Sequence, residues 1–85
     1  MQPNDINQQI DFIYGLLASL EIDAEHSPAV LELPFKKLED WSSMKSLLMV
    51  VEIEEKFGVL LSGEEVKDAQ TFSDILNIVL LHLAE

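Results

Sequence analysis

Residues 42 and 43 are adjacent serines, and the run around them decides what they can do: Trp41-Ser42-Ser43-Met44-Lys45-Ser46, then Leu47-Leu48-Met49-Val50-Val51, then Glu52-Ile53-Glu54-Glu55-Lys56-Phe57-Gly58. A hydroxyl ahead of an apolar-periodic run is helix-capping chemistry, because its oxygen satisfies an otherwise unpaired backbone N–H. Apolar residues at 47, 50, 51, 53 and 57 fall close to helical spacing, and Gly58 is a natural stop. The spacing predicts an amphipathic helix with its inward stripe on those positions and a serine in its first turn. The positive end of the helix dipole lies beside that serine. A phosphoester placed there would face free backbone N–H groups, so the position tolerates a phosphate-linked attachment well.

Other chemistries find little footing. The chain has no cysteine, which removes disulfides, thiolate metal sites and an intrinsic thiol nucleophile. Thioester chemistry would need a thiol brought from outside. His26 and His82 lack metal-ligand spacing and read as surface histidines, and Tyr14 reads as structural. Glu52, Glu54 and Glu55 have no Asp-x-Asp-x-Asp-Gly loop around them. There is no glycine-rich phosphate loop and no recognisable Ser/His/Asp motif. The residues predict no metal and no enzymatic activity of the chain's own.

The elements that position the serines follow from the rest of the 85 residues. That length suits one domain with one core, expected to span 1–85, and a hydrophobic content of 48% argues against disorder. The periodicity predicts a first helix over Gln2 to Glu21, capped by Asn4 or Asp5. Its buried stripe is Ile6, Ile10, Ile13, Leu17 and Leu20, with Phe12 and Leu16 either widening it or at its edge. Gly15 costs about 1 kcal/mol against alanine, so a closely packed neighbour is expected there. Ile22 to Asp40 reads as a long connection interrupted by Pro28 and Pro34. Val30, Leu31, Leu33, Phe35 and Leu38 would anchor it, with a helical turn near 27–31 and Lys36 and Lys37 as a solvated pair. Ser62-x-x-Glu65 is a capping box for a short helix reaching about Asp68, held by Leu61 and Val66. Thr71-x-x-Asp74 opens a last helix to about Ala84, with Phe72, Ile75, Leu76, Val79, Leu80 and Leu83 inward. The prediction is all-α: a small four-helix bundle with three main helices, a short third helix and a long first loop.

Within that frame the serine-bearing stretch resembles the acyl carrier protein family. Ser43-Met44, eight residues, then Ile53-Glu54-Glu55-Lys56-Phe57 is similar to the family pattern Asp-Ser-Leu, eight residues, Leu-Glu-Glu-x-Phe. Trp41 is similar to the Trp-Asp-Ser-Leu variant of some discrete polyketide-associated carriers. The order and length of elements resemble the family over nearly the whole chain. Ser42 stands where the family has Asp, Leu48 replaces a usual acidic residue, and Lys45 is positive where the family is often acidic.

The resemblance implies Ser43 as the attachment site of 4′-phosphopantetheine, since Ser42 breaks the spacing to Phe57. A phosphopantetheinyl transferase would install the group, and its thiol would hold an acyl chain as a thioester. Met44, Lys45, Leu48, Glu54 and Glu55 would meet acyl-transfer or synthase enzymes through basic docking patches, and Ile53, Leu61 and Val66 would shelter the acyl chain. The substituted docking residues point to a specialised fatty-acid or polyketide pathway. The rival is an unmodified carrier-like interaction module that has lost priming, supported by Ser42. A peptidyl carrier is disfavoured by the acidity. Five basic against sixteen acidic residues give a net charge of −11, which repels nucleic acid and anionic membranes and favours basic protein partners. With no apolar run of membrane-spanning length and no signal-like start, the chain is expected to be a cytoplasmic monomer.

Overall fold

Each helix begins where a side-chain oxygen can take a free backbone N–H. The computed structural model describes residues 5–84 and contains four helices: α1 (Ile6–Ser19), α2 (Ser43–Phe57), α3 (Gly63–Asp68) and α4 (Phe72–Leu83). Asp5 caps α1 by accepting from the Asn7 N–H at 2.7 Å; the expected helical residues before Asp5, and Asn4 as the alternative cap, lie outside the described residues. Ser42 caps α2 by accepting from the Lys45 N–H at 3.4 Å. Ser62 and Glu65 form the expected reciprocal box, with bonds of 3.1 and 2.8 Å. Thr71 and Asp74 form the second, and Asp74 also accepts from the Gln70 N–H at 2.9 Å. The two boxes satisfy helix starts too short or too exposed to rely on packing alone.

The first two helices end at left-handed residues. Gly58, at φ 71°, closes α2 and donates to the Glu54 carbonyl at 2.8 Å. After α1 that place is taken by Glu21, at φ 63°. Its N–H reaches the Ala18 carbonyl at 3.1 Å, and the Ile22 N–H reaches Leu17 at 2.9 Å, the paired bonds of a Schellman ending. The helix therefore stops at Ser19, short of the expected Glu21.

The stripe of α1 follows expectation except at its first position. Ile10, Ile13, Leu17 and Leu20 are buried, as are Phe12 and Leu16, whereas Ile6 is 55% exposed. Phe12 and Leu16 are core residues, with the Phe12 ring edge-on to Phe57 at 4.7 Å. Nothing lies within 4 Å of the site a Gly15 Cβ would take, so no close neighbour calls for this glycine.

The long connection, 20–42, is not structureless. It forms 3-10 turns at Pro28–Glu32 and Phe35–Lys37, and the first packs against both α1 and α4. Val30, Leu31 and Phe35 are buried, with Leu33 and Leu38 packed beside them. Phe35 stacks on Phe72 of α4, ring centroids 4.8 Å apart, and Trp41 meets the Phe35 edge at 5.0 Å. Lys37 is exposed as expected. Lys36 is not merely solvated: its ammonium donates to the Lys67 carbonyl, which ties the loop to the last turn of α3. All four helices and this loop contribute to one continuous core, and among the described residues no polar or charged residue is buried.

Candidate functional site

The facing of α2 decides what the serine-bearing stretch presents. Met49 and Ile53 are fully buried and Phe57 nearly so, at i, i+4 and i+8 on one side of the helix. Leu47 and Val51 each lie two residues from Met49, about 200° around the axis, and so point the other way. The expected inward positions 47 and 51 are therefore outward, Val50 is half-buried, and Met49 takes the core place. The outward side carries Met44 (66% exposed), Leu47 (63%), Leu48 (44%) and Val51 (46%), spaced i, i+3, i+4, i+7. Leu48 is at the surface as expected, but Leu47 and Val51 extend the exposed apolar stripe beyond the docking residues the sequence suggested. Lys45 is half-exposed, and Glu54 and Glu55 are exposed on the same helix.

Ser43 is the first residue of α2 and is exposed, one residue inside the Ser42 cap. It stands at the rim of an open groove of about 470 Å³ between the start of α2 and the start of α3. Ser43, Ser46, Leu47 and Val50 form one wall, and Leu61, Ser62, Gly63 and Val66 the other. Leu61 and Val66, expected to shelter an acyl chain, line this groove. Ile53 does not: it is fully buried in the core, and Leu47 and Val50 take the lining role on α2. The volume is about three times that of an apolar cavity of ~150 Å³ able to hold benzene.

Two features fix the groove walls. On the α2 side, the Trp41 indole N–H donates to Ser46 Oγ at 2.8 Å, while the Trp41 ring packs on Phe35 and Phe72. On the α3 side, one carboxylate oxygen of Glu65 accepts from the Ser62 N–H and the other meets His82 Nε2 of α4 at 2.8 Å. The Ser62 N–H bond, followed by the His82 contact, holds the Glu65 carboxyl below its ordinary value. Asp74 is likewise lowered, by the N–H bonds from Gln70 and Thr71. His82 is thus half-buried in a contact between helices, and His26 faces Asp11 at 2.5 Å. Among the described residues no three His, Cys, Asp or Glu side chains group as metal ligands, and no helix is long and apolar enough to cross a membrane.

The sequence offered no signal for the His82–Glu65 or Lys36–Lys67 contacts, which join residues 17 and 31 positions apart. Comparison with protein-family models, with curated proteins and with solved structures returns no match to this chain.

Proposed function

We propose that this chain is a discrete acyl carrier, primed on Ser43 with 4′-phosphopantetheine and presenting a thioester-bound acyl group to partner enzymes. The observation that carries the reading is the exposed Ser43 hydroxyl at the N-terminus of α2, on the rim of a groove lined by Leu47, Val50, Leu61 and Val66. The residues fit the group: the hydroxyl is open to a modifying enzyme, and the helix start favours a phosphate. Bound phosphopantetheine would supply the thiol that a chain without cysteine lacks. Ser43 provides the attachment oxygen, the groove walls keep an apolar chain from water, and the core-facing residues of α2 hold that geometry rigid.

Partner recognition falls to the outward side of α2. Met44, Leu48, Leu47 and Val51 provide apolar contact, and Lys45, Glu54 and Glu55 provide charge; the acidic pair suits enzymes with basic docking patches. The alternative, an unprimed interaction module of the same fold, draws on Ser42: the first turn of α2 carries no acidic residue to engage a transferase's magnesium site.

Incubation with coenzyme A, magnesium and a broad-specificity phosphopantetheinyl transferase separates the two. In that reaction Ser43 Oγ forms a bond to the phosphorus next to the pantetheine. The pyrophosphate bond breaks, adenosine 3′,5′-bisphosphate leaves with the electron pair, and the serine proton passes to a base of the transferase. Intact mass should show one added phosphopantetheinyl group, absent from Ser43→Ala. An adduct mapped to Ser42, or none with several transferases, rejects the carrier reading.

A further inference from the structure

The loop before α2 encloses a second hollow, of about 300 Å³, which shares no lining residue with the groove beside Ser43. Ile22, Ala24, Ala29, Val30, Leu33 and Leu38 give it apolar walls. Val30 is buried, and Ile22, Ala24, Leu33 and Leu38 pack against the core, so the hollow exposes part of the core's own outer surface. Its polar hydroxyl is Ser27. Ser27 stands at the cap position of the 3-10 turn Pro28–Glu32, yet its side chain makes no capping bond. The residue is half-buried, but its Oγ is shielded from solvent and, among the described residues, has no hydrogen-bond partner. The segment that carries it is anchored on both sides. His26 ties it to α1 through Asp11 at 2.5 Å and an edge-on contact with Tyr14, and Val30 ties it to the core.

A hydroxyl closed off from water without a partner is unfavourable, and folded proteins resolve it with an ordered water or another bound group. Apolar walls with one placed polar group are also the usual make-up of a small-molecule site. The volume is about twice that of an apolar cavity of ~150 Å³ able to hold benzene. A single torsion between staggered positions sets where the Ser27 hydroxyl points, and it can donate or accept. Charge narrows the occupant further: Asp23 and Glu25 are exposed lining residues, no basic residue lines the hollow, and the chain carries −11 overall. Anions are therefore disfavoured. We propose that this hollow binds a free, neutral molecule with a hydrocarbon body and one hydrogen-bonding oxygen, with Ser27 as its polar contact. Nothing in this assignment rests on Ser43 or on its modification.

Heptan-2-one is the probe, titrated into the unmodified chain up to its solubility limit and followed by amide chemical shifts. Saturable shifts centred on residues 22–38 are expected. Ser27→Ala removes a group that makes no bond in the protein, so its urea midpoint should be no lower than the parent's, while its affinity for the ketone should fall about fivefold, the worth of one net hydrogen bond. Ala29→Leu places a larger side chain in the lining and should abolish the shifts. Absence of saturable shifts in the parent overturns the proposal, as does equal affinity in parent and Ser27→Ala. A lower urea midpoint for Ser27→Ala, or a water held at Ser27 that the ketone does not displace, would also overturn it by giving the hydroxyl another partner. Heptanoate binding as tightly as the ketone would overturn the neutral class.

Discussion

Glu65 and His82 join α3 to α4 through a 2.8 Å contact made by the same carboxylate that closes the α3 capping box. One side chain thus starts a six-residue helix and fastens it to its neighbour. A helix that short has little stability of its own, so loss of this carboxylate's charge is felt in both roles.

The first prediction follows from its protonation. Glu65 has a folded-state value lowered from 4.5, chiefly by the Ser62 N–H and then by His82. A depressed carboxyl contributes stability that is fully present above its unfolded value and is lost as pH falls through the folded value. Glu65→Gln should therefore be destabilising at pH 7, with a penalty that shrinks as pH drops below about 4.5. Urea denaturation of both proteins at intervals from pH 7 to 3 measures this; a penalty independent of pH would show that charge on Glu65 does not matter.

The two left-handed helix ends give a paired test. Glu21 pays for a conformation that glycine adopts freely, so Glu21→Gly should be neutral to stabilising, by up to about 1 kcal/mol. Gly58→Ala puts a Cβ into the same backbone region and should cost about 1–2 kcal/mol. Thermal melts of the two variants should move in opposite directions or, at the least, differ by several degrees.

Phe35 is a loop residue with the burial of a core residue. It is fully inaccessible and sits between Phe72 and Trp41. Phe35→Ala should cost about 3–5 kcal/mol, most or all of the stability of so small a domain, whereas Phe35→Leu should be much milder. Far-UV circular dichroism follows the helices, and Trp41 emission reports the ring contact directly.

Ser42 caps α2 with a long bond, 3.4 Å, and no acidic residue follows in the first turn. Ser42→Asp should add about 0.3–1 kcal/mol through the helix dipole, seen as a small rise in Tm. Under the proposed function it should also speed priming of Ser43. Faster priming without a matching stability change would trace the effect to the transferase; higher stability with unchanged priming would leave Ser42 as a cap only.

Helix termini were the most legible part of the sequence, because a cap is a local device. Ser62 with Glu65, Thr71 with Asp74, and Gly58 each do in the fold what their spacing predicts. The anchoring of the long loop by Val30, Leu31 and Phe35 was legible too, since a connection of that length needs buried side chains. The facing of α2 was not. Leu47 to Val51 is an unbroken apolar run, and such a run carries no phase; only tertiary packing in the shared core decides that Met49 goes in while Leu47 and Val51 go out. The resemblance puts Ile53 beside an acyl chain, but its position on the Met49–Phe57 side commits it to the core. The polar fasteners of α3 depend on contacts distant in sequence and left no local trace.

The outward stripe of Met44, Leu47, Leu48 and Val51 also sets the colloidal behaviour of the chain. At neutral pH a net charge of −11 opposes the approach of two copies through that apolar patch. Salt shortens the reach of the repulsion, and acid removes its source as carboxylates protonate. The stripe itself has nothing to titrate. Self-association should therefore appear first in mildly acidic, salty solution, before the helices melt, with α2 meeting α2.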